Sequence, residues 1–171
     1  CQQAGLDDNH GGDLDNWADG DIRFESTGGG LATIAVQCVG ERAIDHLGDG
    51  QLQLDGIRIT GGNTAAGPSG IQEGDRDGRD SQSGGAVRST SGAGVHITGS
   101  VFEGNRTGNG GNGAPPLLNG PGGDGGDAGI GGAIHAMQVT AIQSRFTGNS
   151  TGNGGKGGNA LGSFNPGGNG G

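Results

Sequence analysis

The stretch FEGNRTGNGGNG occupies residues 102–113, and FTGNSTGNGGKG occupies residues 146–157, 44 positions later. The same dozen residues are written twice, and each copy runs from a strand-like start into glycine. Laid against itself, the chain extends the match. RAIDH at 42–46, GAVRS at 85–89 and GAIHA at 132–136 each open a unit with small and then β-branched residues. A second strand signal follows in each, ending at Asn63, Asn105 and Asn149. Ala43, Ala86 and Ala133 are 43 and 47 apart, and Ile59, Phe102 and Phe146 are 43 and 44 apart. Self-similarity at this period signals a solenoid or a propeller, in which one unit cannot bury its own apolar face.

A propeller blade of this length needs four strands, whereas each unit holds only enough strand-like residues for one turn of a parallel β-helix. The expected fold is therefore all-β: a short parallel β-helix with long glycine-rich insertions. In that stack Ile44, Val87 and Ile134 form one inward ladder. Ile59, Phe102 and Phe146 form another, at the strand spacing of roughly 4.8 Å. Asn63, Asn105 and Asn149 line up at a bend, where Asn tolerates left-handed backbone and stacked amides can bond along the axis.

GGAV…FEGN (84–105) and GGAI…FTGN (131–149) resemble the paired GGA(I/L/V) and FxxN motifs of the polymorphic outer membrane protein repeat. The resemblance implies a right-handed parallel β-helix in a bacterial secreted or surface protein, often an adhesin or passenger domain. The unit at 42–63 is a degenerate copy, without the GG pair or the Phe. The N-terminal CQQAG…DGDIRF also resembles the segment preceding such helices. The motifs hold no catalytic residue, so the resemblance implies fold and location rather than an activity.

Composition narrows the options. Gly fills 46 of 171 positions, several times its usual share of roughly 7%. Apolar residues make up 28%, with four Phe, one Trp and no Tyr, which leaves no broad globular core. Such a composition can mean disorder, but the apolar residues cluster in runs such as LATIAV (31–36) and LDGIRI (54–59), which favours a thin core built from strands. The formal charge of −9 gives no electrostatic footprint for a phosphate backbone and argues against nucleic acid. Leu31 to Val36, the longest apolar run, is far short of the roughly 20 residues that span a bilayer. The chain opens on Cys1 rather than Met and on no signal-peptide pattern, which reads as a mature or trimmed product.

Residues 1–30 read as an acidic N-terminal arm or cap and 31–171 as the β-helix, with glycine-rich loops at 106–130 and 150–171. Every Gly in 108–132 falls on two of three phases, while the third reads Asn109, Asn112, Pro115, Leu118, Pro121, Asp124, Asp127 and Ile130. Three residues per turn is the polyproline-II repeat, whose N–H and C=O groups must be satisfied outside the segment. Glycine on two faces lets neighbouring backbones meet; the competing reading is a slack surface insertion, favoured by the entropy of glycine. The loop at 64–83, with EGDRDGRD, reads as charged, aperiodic and solvated.

Cys1 and Cys38 suffice for one disulfide staple, with two unrelated thiols or a lipidated Cys1 as the other readings. Asp13, Asp15, Asp19 and Asp21 offer hard oxygen ligands at a spacing that suits Ca²⁺, although Trp17 falls where a ligand is wanted and no Glu closes the loop. GGDGGD at 122–127 matches the start of a calcium-binding nonapeptide but has no tandem copy. His46, His96 and His135 lack metal-ligand spacing and read as strand histidines. No Ser-His-Asp set or P-loop is legible, and fold analogy alone does not make an enzyme. No cofactor is expected other than that calcium.

The expected function is a non-enzymatic extracellular structural or adhesive surface module, partnered by copies of itself or a larger assembly. The alternative is a calcium-dependent domain that binds or cleaves carbohydrate. An ice-binding surface is a third option, weakened by the lack of a flat Thr-x-Thr ladder.

Overall fold

The computed structural model describes residues 14–17, 19–162 and 166–171. Among them there are twelve short strands and no helix. The strands are β1 (Leu14–Asn16), β2 (Ile22–Glu25), β3 (Ala32–Ala35), β4 (Ile44–His46), β5 (Leu52–Asp55), β6 (Ile57–Thr60), β7 (Val87–Ser89), β8 (Val95–Thr98), β9 (Val101–Glu103), β10 (Ile134–Ala136), β11 (Val139–Ile142) and β12 (Arg145–Thr147). They form three parallel sheets, ordered β1-β4-β7-β10, β2-β5-β8-β11 and β3-β6-β9-β12. Each successive trio adds one strand to each sheet, so the chain makes four stacked coils of a β-helix-like solenoid.

Alternation along the strands decides which side chains enter. In β5, Leu52 and Leu54 are buried while Gln53 and Asp55 are partly exposed; in β8, Val95 and Ile97 are buried while His96 and Thr98 are exposed. Parallel register then puts like on like. Leu14, Ile44, Val87 and Ile134 share one column. Ile34, Ile59, Phe102 and Phe146 share another, in which the two Phe rings stack at 4.9 Å and 7°. The core is deepest in the two middle coils, where Phe102 is 0% exposed; Phe146, in the last coil, is 45% exposed.

Two sequence expectations need correction. The arm expected over residues 1–30 is partly coil: β1 and β2 pair in register with β4 and β5. Leu14, Ile22 and Phe24 supply inward residues that the surrounding Asp and Gly conceal in the sequence. Asn63 also does not join Asn105 and Asn149. It pairs with Arg106, which leaves Gly62 beside Asn105. The degenerate unit has one extra residue between Ile59 and its Asn. A Cβ at Gly62 would lie 2.0 Å from the Gly85 carbonyl oxygen, so no Asn fits that slot.

Sheet β1-β4-β7-β10 carries charge on its outer side. Asp45 is 2% exposed and takes the guanidinium of Arg88, its register neighbour, through both oxygens. The buried Arg42 lies 3.9 Å from the same carboxylate and donates to Gln82 Oε1 at 2.5 Å and to the Ser83 carbonyl at 3.0 Å. This ties the end of the 64–83 segment to the coil.

Candidate functional site

Two surfaces combine residues from several coils. The first is built from the segments that leave the stack after β6, β9 and β12. Outgoing tracts run through 64–70, 107–114 and 151–158; returning tracts run through 76–82, 122–129 and 166–171. None of them forms a regular strand. Within the outgoing row, Gly67 and Gly70 donate their N–H groups to the Asn109 and Asn112 carbonyls, and Gly110 and Gly113 donate to those of Asn153 and Lys156. In the returning row, Gly78 and Ser81 donate to Asp124 and Asp127, and Gly125 donates to Asn169.

The rows are also bonded to each other. Gly111 donates to Arg79, Gly126 to Gly111, Gly155 to Gly126 and Gly171 to Gly155. A Cβ at Gly110 would sit 1.8 Å from the Gly126 oxygen, and one at Gly155 would sit 1.9 Å from the Gly111 oxygen. Contacts this close exclude any side chain. That is why glycine holds two phases of three.

The third phase has its own bonds. Asn109, Asn112, Asp124 and Asp127 are exposed, and most of their N–H groups are met by the side chain one tract earlier in the row. Asn153 N–H donates to Asn109 Oδ1 and Lys156 N–H to Asn112 Oδ1, both at 2.9 Å. Asp124 N–H donates to Asp77 Oδ1 at 2.8 Å, Asp127 N–H to Asp80 Oδ1 at 2.7 Å, and Asn169 N–H to Asp124 Oδ1 at 2.7 Å. Asn, Asp and Ser recur at this phase because each reaches one tract onward with an acceptor. Buried Thr64 and Thr107 staple the rows near the coil: their hydroxyls donate to the Gln82 and Gly129 carbonyls at 2.9 and 2.7 Å.

The loop at 64–83 therefore departs from its sequence reading. Its charged side chains are largely exposed, yet its backbone belongs to the same array. Asp77, Asp80 and Ser83 hold the third phase here, and Ser83 Oγ accepts from Ile130 N–H at 3.2 Å. The signal was present: Asp77 and Asp80 precede Asp124 and Asp127 by 47 residues, the spacing of Ala86 and Ala133.

The second surface is an open cleft of about 880 Å³ on the outer side of β2, β5 and β8, beside the turn at 26–31. Outward columns Arg23-Gln53-His96 and Glu25-Asp55-Thr98 cross three coils. Arg23 donates from Nε to Asp55 Oδ2 at 2.6 Å and lies 3.3 Å from Glu25 Oε1. Gln53 donates to Gln51 Oε1 at 2.9 Å. Sequence reading placed the acids in the arm and loops; register collects these two, 30 residues apart, with an Arg between them.

The remaining candidates are scattered. Asp13 and Cys1 lie outside the described residues. Asp15 is in β1, whereas Asp19 and Asp21 lie between β1 and β2. Asp21 Oδ1 accepts the Gln51 N–H at 2.8 Å. His46 is fully buried, its Nε2 2.6 Å from the Gly50 oxygen and its Nδ1 2.7 Å from Asn16 Nδ2. His96 lies on the cleft face, and His135 pairs in register with Arg88. Among the described residues no three His, Cys, Asp or Glu side chains are grouped to hold a metal, and no helix is long and apolar enough to cross a membrane. No family model, curated protein or solved structure matches the chain.

Proposed function

We propose that the chain is a non-enzymatic structural and adhesive module of the bacterial cell exterior: a right-handed parallel β-helix of the polymorphic outer membrane protein repeat kind, carrying a second, flatter layer of polyproline-II-like tracts. The observation that carries this reading is the double row of glycine tracts, bonded within and between rows. A linker has no use for such an array. A surface that must stay flat and stiff does, because backbone-to-backbone contact leaves its elements little room to shift.

The repeat motifs fit this role physically. The second Gly of GGA stands where tracts leave and return: a Cβ at Gly85 would lie 2.0 Å from the Gly132 oxygen and 2.8 Å from Arg106 backbone atoms. The closing Asn of FxGN bonds successive coils. A bridge between Cys1 and Cys38 would add a covalent tie, consistent with an extracellular setting. Presented on the stack, the exposed Asn and Asp rungs form a polar surface through which the module would meet copies of itself or a larger assembly.

Adsorption on a quartz microbalance tests the reading. The native chain should bind lipid- or protein-coated surfaces, or form higher oligomers in sedimentation, without releasing any product. Gly110→Val, which opens the layer, should lose that binding while the coils stay folded. Depolymerisation of a polysaccharide would replace this reading with an enzymatic one.

A further inference from the structure

We infer that the cleft over β2, β5 and β8 is a binding site for a linear, uncharged oligosaccharide. Three observations carry this. First, the floor is a two-column grid of hydrogen-bonding side chains: Gln53, Asp55, His96 and Thr98, with Gln51 at the edge. Such a grid suits a ligand covered in hydroxyl groups, each of which donates and accepts. Second, the charges are committed to one another. Arg23 is held by Asp55 and Glu25, so it is no free receptor for an anion, and the two carboxylates repel uronate, sulfate or phosphate.

Third, the wall is glycine without a packing reason. At Gly110 or Gly125 a Cβ would strike backbone, but at Gly28, Gly29 and Gly30 it would meet nothing within 4 Å. These three residues leave peptide groups without side chains at the rim, where the Gly30 carbonyl already accepts from Ser26 Oγ at 2.6 Å and the others can meet a ligand's hydroxyls. Coils recur at roughly 4.8 Å, close to the length of one pyranose, so a chain laid along the axis meets one coil per sugar. Among the described residues no Phe or Trp lines the floor. Recognition by hydroxyls alone gives weak, millimolar binding that a surface module multiplies through many copies.

This inference rests on the cleft alone, so its failure would leave the assembly reading untouched. NMR titration of the ¹⁵N-labelled chain with cellohexaose, xylohexaose, mannohexaose and laminarihexaose tests it, with oligogalacturonate and spermidine as charged controls. At least one neutral hexasaccharide should shift the amides of Gly28, Gly29, Gly30, Gln53 and Thr98 together. Gln53→Ala should weaken that binding about fivefold, the loss expected for one hydrogen bond, and Thr147→Ala, exposed on a different sheet, should not. No cleft shift with any neutral hexasaccharide, shifts confined to another region, or tighter binding of either control would overturn it.

Discussion

The Asn105 side chain donates from Nδ2 to Oδ1 of Asn149 at 2.9 Å, and the same oxygen accepts the Asn105 N–H at 3.0 Å. Asn105 repeats the arrangement one coil down: its Oδ1 accepts the Gly62 N–H at 2.9 Å and its Nδ2 donates to the Ile59 carbonyl at 3.1 Å. One buried amide thus joins three coils at the corner where the glycine tracts begin. Asn105→Ala should lower stability by about 2 to 4 kcal/mol, since it leaves the Gly62 N–H unmet and removes the bonds to the Ile59 carbonyl and to Asn149. Asn63→Ala, outside the column, should stay within about 0.5 kcal/mol. Equal midpoint shifts for the two in urea would contradict the register.

The Phe column makes a graded prediction. Phe102 is fully buried and Phe146, stacked on it, is 45% exposed. Phe102→Ala should cost about 3 to 5 kcal/mol, because a thin coil has nothing to refill the cavity. Phe146→Ala should cost clearly less. Denaturant titration of both variants reads the difference directly.

Asp45 is the buried charge on which the first sheet depends. Asp45→Ala removes the buried carboxylate that Arg88 pairs with and that lies 3.9 Å from the buried Arg42. A loss of about 3 to 5 kcal/mol is expected when one partner of a buried ion pair is removed. Arg88→Ala should cost less, since Arg88 is partly exposed and Arg42 still faces Asp45. The reverse order in thermal melts would show that Arg88, not Arg42, governs the site.

How much of this was legible depended on the kind of contact. Ile44, Val87 and Ile134 were readable as a ladder because a parallel stack puts equivalent residues of each unit together, so periodicity is itself the register. Phe102 and Phe146 followed for the same reason. Asn63 misled because one inserted residue moves a side chain out of its column, and a match by letter does not count spacing. The first coil was hidden because Leu14, Ile22 and Phe24 are spread among Asp and Gly, with too few neighbours to show alternation. The 64–83 tracts are hidden in the sequence because their charged residues mask the glycine spacing. In fact the Asp side chains are the exposed third phase, and Gly67, Gly70 and Gly78 carry the contacts. The cleft lay beyond periodicity altogether, since Glu25 and Asp55 become neighbours only once β2 lies on β5.

The proposed staple between Cys1 and Cys38 has its own test. Unreduced peptide mapping of the native protein should recover the two cysteines covalently joined, and reduction should cost about 3 to 4 kcal/mol on the chain-entropy account. Two freely alkylated thiols would remove the staple. An acyl mass on Cys1 would make the chain membrane-anchored instead.

In the proposed module the glycine tracts are an ordered layer rather than slack between coils, and amide hydrogen exchange reads that order. Gly110, Gly111, Gly125, Gly126 and Gly155 each donate an N–H to a carbonyl of a neighbouring tract. Their amides should therefore exchange as slowly as those of β5 and β8. Gly125→Val, whose side chain would drive into the Gly155 carbonyl at 2.3 Å, should abolish that protection across 108–129 and 152–158. Asp124→Val, which removes one exposed rung, should largely preserve it. Random-coil exchange throughout the tracts of the native chain, beside protected strands, would contradict the account.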